Sequence, residues 1–318
     1  MIEVENLTKF YGPRPAIKGI SFSVNKGEVV GFLGPNGAGK TTTMNILCCI
    51  MPATSGSARI CGHDVFEESM EIRKKIGYLP ETPPLYPDMT VTDYLHFAAR
   101  LRRVPSNKVK ASVDRVIEKC VLKDVRNRII QRLSKGFQQR VGLAQSMIHD
   151  PEILILDEPT IGLDPIQIIE IRKLIQELAS SHTIILSSHI LPEITQICRR
   201  VIILNEGEIA AVDSLEGLTS SLNKTERFIL KVRNDQNLIP EKLSALENVI
   251  SVTAEQDGRF LIECKMNSHV QDQVARLALE NSWGIEELKI VSMTLEDIFL
   301  RLTLEENEPD KEKNGVNA

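Results

Sequence analysis

The segment GPNGAGKT, Gly34 to Thr41, constrains this chain more than any other stretch. It matches G-x-x-x-x-G-K-[ST] and stands between an apolar strand, EVVGFL, and a helical run that continues through Cys49. Glycines at this spacing let successive backbone N–H groups curl around a phosphate chain. Gly34, Pro35, Asn36, Gly37, Ala38 and Gly39 form the expected cradle. Lys40 is placed to reach the β- and γ-phosphates and Thr41 to hold Mg²⁺, with Thr42 beside it among the nucleotide-binding residues.

Short apolar strands recur after this loop: ILILD (Ile153–Asp157), TIILSS (Thr183–Ser188) and RVIILNEGEIAAVD (Arg200–Asp213). Helical patterns separate them, the clearest over Ile166–Ala179 with apolar residues at 168, 171, 174, 175 and 178. This alternation predicts an α/β fold with a mostly parallel sheet covered on both faces. Between Pro83 and Ile148 only helical patterns occur, so residues 83–148 read as a helical subdomain inserted in a domain spanning 1–220.

The pattern breaks at SLEGLTSSLNKT, Ser214 to Thr225. Beyond it the order β-α-β-β-α-β, with a hairpin at Asp257-Gly258, predicts a small ferredoxin-like α+β domain over 225–303. In its closing segment TLEDIFLRLT, Thr294 and Asp297 suit a capping box, and Leu295, Ile298, Phe299 and Leu302 form one apolar stripe. Residues 304–318 carry few apolar side chains and read as a disordered tail.

A length of 318 residues with 42% hydrophobic and 25% charged residues suits two folded domains. A net charge of −5 argues against a nucleic-acid binder, and the Lys and Arg concentrated between Arg100 and Arg140 read as helix-surface charge. The six cysteines form no C-x-x-C pair and have no metal-type histidine partner, so buried, reduced thiols are expected. No signal peptide opens the chain and no run nears the ~20 apolar residues of a membrane span. The expectation is a cytoplasmic chain; any membrane part belongs to another polypeptide.

Two further motifs carry chemistry. ILILDEPT ends an apolar strand on two carboxylates, Asp157 placed to hold Mg²⁺ through water and Glu158 to orient or deprotonate an attacking water. LSKGFQQR opens a helix with Ser134 as N-cap, but Phe137 occupies the position where a capping box needs an acid. Spare N–H donors, the positive helix end and Lys135 make a seat for an anion that nothing nearby in sequence supplies.

These motifs, in this order, resemble the nucleotide-binding subunit of an ATP-binding cassette transporter over Ile2 to Asp213. The resemblance implies an ATPase that uses ATP and Mg²⁺ and pairs head to tail with a second cassette subunit, expected to be an identical chain. Ser134 and Gly136 would then press on the γ-phosphate bound by the opposite subunit. Lys135 replaces a glycine of the family's LSGGQ and Phe137 its glutamine. His189 resembles the switch histidine at the γ-phosphate. Asp164 of IGLDP resembles the loop that contacts the second site, although Asp before Pro also makes a good N-cap. Tyr11 of KFYG resembles the aromatic that stacks on adenine. Glu81 stands where the family usually has glutamine, a position that touches Mg²⁺ and water and faces the membrane subunit; it is expected to keep a metal-sensing role. Glu81, Lys135 and the terminal TLEDIFLRLT together resemble a bacterial export-type subgroup whose partners are six-helix permeases of the ABC-2 class. The implied place is the cytoplasmic face of the membrane, beside integral permease subunits and away from nucleic acid.

Rival readings fit less well. A GTPase would need N-K-x-D, and the nearest match, Asn223–Glu226, ends in Glu. A small-molecule kinase needs neither the LSKGFQQR helix nor His189. The remaining alternative is a non-transport cassette ATPase acting as a regulatory module.

Overall fold

The computed structural model describes residues 1–215, 217–218, 225–233, 238–255, 257–266 and 268–291, which fall into two units divided after Ser214. The first opens with β1 (Ile2–Tyr11), β2 (Arg14–Val24) and β3 (Val29–Leu33), followed by α1 (Lys40–Leu47). Next come β4 (Ser55–Ile60), β5 (His63–Asp64), α2 (Ser69–Lys75) and β6 (Ile76–Leu79). The helical stretch holds α3 (Val91–Leu101), α4 (Val109–Lys119) and α5 (Lys135–Ser146). The unit closes with β7 (Ile153–Leu156), α6 (Pro165–Ala179), β8 (Thr183–Ser188), α7 (Leu191–Thr195), β9 (Arg200–Asn205) and β10 (Glu208–Ser214).

Six strands form one sheet in the order β10-β9-β3-β8-β7-β6, parallel except for β10. Every residue of β7 and β8 is buried, as strands covered on both faces require. A second, antiparallel sheet of order β2-β1-β4-β5 packs its apolar side chains into the same core, where Phe22 meets Phe32 edge to face at 5.0 Å. Neighbouring β3, β8 and β7 place their carboxyl ends side by side, the edge where parallel sheets gather ligands.

Three local expectations change. RVIILNEGEIAAVD is a hairpin rather than one strand, because Glu206 and Gly207 both take positive φ (47° and 85°), as a tight two-residue turn demands. That turn buttresses the glycine loop: Gly207 N–H donates to the Ala38 carbonyl at 3.2 Å, and Lys18 N–H to the Gly207 carbonyl at 2.8 Å. The helix after the glycine loop stops at Leu47, with Cys49 in the left-handed region at φ 56°. All six cysteines are free thiols, but Cys49 and Cys61 are only half-buried.

The second unit comprises β11 (Thr225–Val232), α8 (Ile239–Ser244), β12 (Val249–Ala254), β13 (Arg259–Lys265), α9 (Val270–Glu280) and β14 (Ile285–Val291). Its sheet, in the order β12-β13-β11-β14, is antiparallel throughout. Alternate residues Phe228, Leu230 and Val232 of β11 point into a core shared with Phe260, Ile262, Val274 and Trp283. Asp257 and Gly258 take φ values of 61° and 70° at the hairpin between β12 and β13. The expected 294–303 segment and 304–318 tail lie outside the described residues. Among the described residues no helix is long and apolar enough to cross a membrane.

Candidate functional site

The loop between β3 and α1 is shaped by close approach. A Cβ on Gly34 would lie 2.3 Å from the Leu204 carbonyl oxygen. Gly39, at φ 103°, would bring one within 2.6 Å of the Ala16 carbonyl oxygen. Gly39 is also the N-cap of α1, with no side-chain cap and no acidic residue in the first turn. The donors at this helix start therefore remain available to an anion. Lys40 is buried, its Nζ donating to the carbonyls of Gly34 (2.7 Å) and Pro35 (3.1 Å). Burial lowers its pKa, opposed by the negative charge of Glu158 and Asp157.

The carboxylates stand immediately beyond β7. Asp157 N–H donates to the Leu79 carbonyl at 2.8 Å, which extends the pairing with β6 by one residue. Glu158 then turns into the left-handed region at φ 46°, a conformation costing a non-glycine residue roughly 1 kcal/mol. It is held there by its N–H, which donates to Ser187 Oγ at 2.9 Å. Ser187 in turn donates to Asp157 Oδ1 at 2.5 Å. The Glu158 carboxylate lies 3.7 Å from Lys40 Nζ and 2.9 Å from His189 Nδ1. An ionised carboxylate only accepts, so His189 Nδ1 carries the proton of that bond.

Asn36, Gly37, Gly39, Lys40, Thr41, Thr42, Glu81, Glu158 and His189 line one cavity of about 470 Å³. Thr41, Glu81 and Asp157 also line an adjoining cavity of about 450 Å³. Asp157 Oδ2 is buried and has no hydrogen-bond partner. A buried, unpartnered carboxylate oxygen fits a bound cation. Among the described residues no three His, Cys, Asp or Glu side chains converge on a metal position, so such a cation needs further oxygens from phosphate or water.

The other expected positions lie apart from this cavity. Tyr11, half-exposed at the end of β1, places its hydroxyl 3.2 Å from Met51 Sδ, with Lys9 Nζ 5.6 Å from its ring centre; Ala16 of β2 lines the cavity instead. Asp164 caps α6, accepting from Gln167 N–H at 2.9 Å, with Pro165 in the first turn. Ser134 is exposed and caps α5, accepting from Phe137 N–H at 3.4 Å. Gly136 is buried under Gln167, whose side-chain amide lies 2.5 Å from where a Cβ would stand. Within one chain, therefore, the glycine packs against the flexible end of the Gln167 side chain of α6, a contact that the spacing of LSKG does not reveal.

Sequence reasoning also missed the seryl and threonyl groups that fix the carboxylates. Besides Ser187, Thr160 donates to Glu193 Oε2 at 2.5 Å and Ser188 donates to the same oxygen at 3.2 Å. This buried network ties the segment after β7 to the start of α7. The paired serines ending TIILSS were the available signal, since polar residues closing an apolar buried strand need partners.

Comparison with known proteins places the chain among relatives of one kind. A family model described as "ABC transporter" matches residues 17–161. The chain is 36% identical over 306 residues to the bacitracin transport ATP-binding protein BcrA of Bacillus licheniformis, covering 95% of this chain and 97% of that one. It is 33% identical over 310 residues to the uncharacterized ABC transporter ATP-binding protein YhcH of Bacillus subtilis (strain 168), covering 97% of each. Among solved structures, the dimeric post-hydrolysis state of the ATP-binding cassette MJ0796 bound to ADP and Pi superposes with a TM-score of 0.62 at 26% identity. That match spans 68% of this chain and 99% of the solved one.

Proposed function

This chain belongs to the ABC transporter family of ATP-binding proteins, and from that premise we propose that it is the ATPase subunit of a bacterial ABC-2 export-type system. It binds and hydrolyses ATP to power transport through separate membrane permease subunits. One observation carries the assignment of its reacting groups: Lys40, Glu158 and His189 meet within 3.7 Å where β3, β7 and β8 end. We read residues 1–220 as the cassette and 225–303 as a ferredoxin-like accessory domain.

In this reading the glycine loop and the start of α1 hold the phosphate chain, and Lys40 leaves the Gly34 and Pro35 carbonyls to meet it. Glu158 accepts the proton of the attacking water. His189, bonded to Glu158, keeps that carboxylate oriented and stands beside the γ-phosphate. Thr41, Asp157 and Glu81 would hold Mg²⁺, which when bound neutralises charge on the phosphates. Tyr11 serves as the adenine platform once its ring is cleared. Ser134 and Gly136 complete the site of a second, identical cassette, and Asp164 reports across the same interface. Permease subunits engage near Glu81 on the cytoplasmic face of the membrane. The similarity to a bacitracin transport protein over nearly the whole chain supports a role in transport.

Light scattering of Glu158→Gln with ATP, with ADP and without nucleotide tests the pairing. A dimer is expected with ATP alone and should be lost in Ser134→Arg. A monomer throughout, despite ATP binding, would overturn the self-paired arrangement.

A further inference from the structure

Several of the Lys and Arg concentrated after Arg100 converge away from the glycine loop, although Arg102 also borders the cavity that Thr41 and Asp157 share. A cavity of about 520 Å³ opens where the end of α3 meets the start of α4, lined by Lys74, Arg102, Arg103, Lys108, Arg115 and His149. Asp150 is the one carboxylate in its wall, and it already pairs with Arg115; Lys74 pairs with Glu71 at 2.6 Å. Arg102 donates to the backbone carbonyl of Arg73 at 3.1 Å but forms no ion pair, and neither do Arg103 and Lys108 among the described residues. Three cations around one concave space without counter-charges repel each other until an anion joins them.

The backbone adds to this. Val104 N–H closes α3 on the Ala99 carbonyl at 2.9 Å, with Arg103 held at φ 57°, the position that most often carries glycine. A long cation stands there instead. Helix α4 starts without a side-chain cap and with no acidic residue in its first turn, and Ala111 and Ser112 of that end line the cavity. Its N-terminal donors and positive end are therefore free. His149 donates from Nε2 to the Ile76 carbonyl at 3.0 Å, while its buried Nδ1 has no partner. Burial first, and Arg102 second, push its pKa down to about 4.

We propose that this cavity binds a phosphate-bearing anion, held by Arg102, Arg103, Lys108 and the start of α4. A tetrahedral group with three acceptor oxygens suits three cations set at separate points of the wall better than a planar carboxylate with two. Its source is either a soluble phosphate compound or a phospholipid headgroup.

The full-length chain carrying Lys40→Ala, which weakens the competing seat at the glycine loop, is titrated with inorganic pyrophosphate by calorimetry. In a second arm it is sedimented with phosphatidylcholine vesicles with or without phosphatidylglycerol, and the unaltered chain is run in parallel. Exposed Arg103 and Lys108 are reversed together as Arg103→Glu and Lys108→Glu. Lys26→Glu with Lys173→Glu, at equally exposed positions elsewhere, matches the change in charge. Saturable binding is expected in at least one arm, roughly tenfold weaker after the first reversal and unchanged by the second. Pyrophosphate binding identifies a soluble source, and binding only to vesicles with phosphatidylglycerol a lipid headgroup. No binding in either arm, or the same response from both reversals, overturns the proposal. Because both reversals are compared within the Lys40→Ala chain, either result leaves the assignment of the ATPase site untouched.

Discussion

The end of β7 and the start of α5 both present groups suited to phosphate, but the chain finishes them to very different degrees. At the end of β7, Asp157 is fully buried and Glu158 and Lys40 are each 6% exposed. Their charges are met by one another, by His189 and by Ser187. At the start of α5, Ser134 is exposed and its hydroxyl meets only its own helix, while Gly136 beside it is covered by the flexible end of the Gln167 side chain. Buried charge must be partnered within the fold because desolvation is costly, so the first site is nearly complete in one chain. Exposed donors at a helix end carry no such cost, so the second can wait for a partner from outside.

Several substitutions break or sharpen that contrast. Glu158→Gln should cut ATP turnover about a thousandfold while nucleotide binding survives, read by phosphate release beside a binding titration. Retained turnover would remove Glu158 from the chemistry. Ser134→Arg should lower turnover roughly a hundredfold with single-chain ATP affinity intact; an equal loss of affinity would mean that the two regions are one site. Ser187→Ala leaves Asp157 Oδ1 and the Glu158 N–H without their shared partner. Mg²⁺ dependence should weaken by roughly tenfold or more, measured as the half-saturating concentration in the ATPase reaction.

Burial alone does not make a site, and His149 supplies the control. Its folded pKa of about 4 lies below the ordinary 6.5, so the folded chain binds fewer protons between those values. Stability is therefore full above pH 6.5 and falls as the pH drops toward 4, by on the order of 2 kcal/mol. Burial lowers the pKa of His182 as well, in the same direction. Denaturant melts of His149→Gln should show a shallower acid loss; an unchanged slope would assign that loss to other groups. The smallest effect is expected at exposed Glu81: Glu81→Gln and Glu81→Ala should each shift Mg²⁺ half-saturation about threefold. No shift in either would take Glu81 out of the metal's reach.

Much of this was written in residue types and spacing. GPNGAGKT required a strand before it and a helix after it. The fully apolar ILIL and the TIIL that opens β8 could only be strands buried on both faces, and the alternation of FILKV fixed which side of β11 meets the second core. Short polar residues were harder to interpret, because a serine's role depends on what lies across the sheet. Ser187 stands 30 residues from Asp157, and no local pattern announces that they touch. The same holds for Thr160 with Glu193, and for Gly136 under Gln167. RVIILNEGEIAAVD carries a turn signal at Asn205 and Gly207 that a single-strand reading passes over, and its division into two strands rests on the positive φ values at Glu206 and Gly207.

The sequence by itself determined the alternation of strands and helices, the phosphate loop and the two carboxylates, since period and motif spacing are local properties of a chain. Tertiary structure alone decided which hydroxyls orient those carboxylates, that Asp157 keeps one buried oxygen without a partner, and that Arg102, Arg103 and Lys108 line one cavity whose single carboxylate, Asp150, pairs with Arg115. Those outcomes depend on distances between residues far apart in sequence, and only the packed sheet and helices set them.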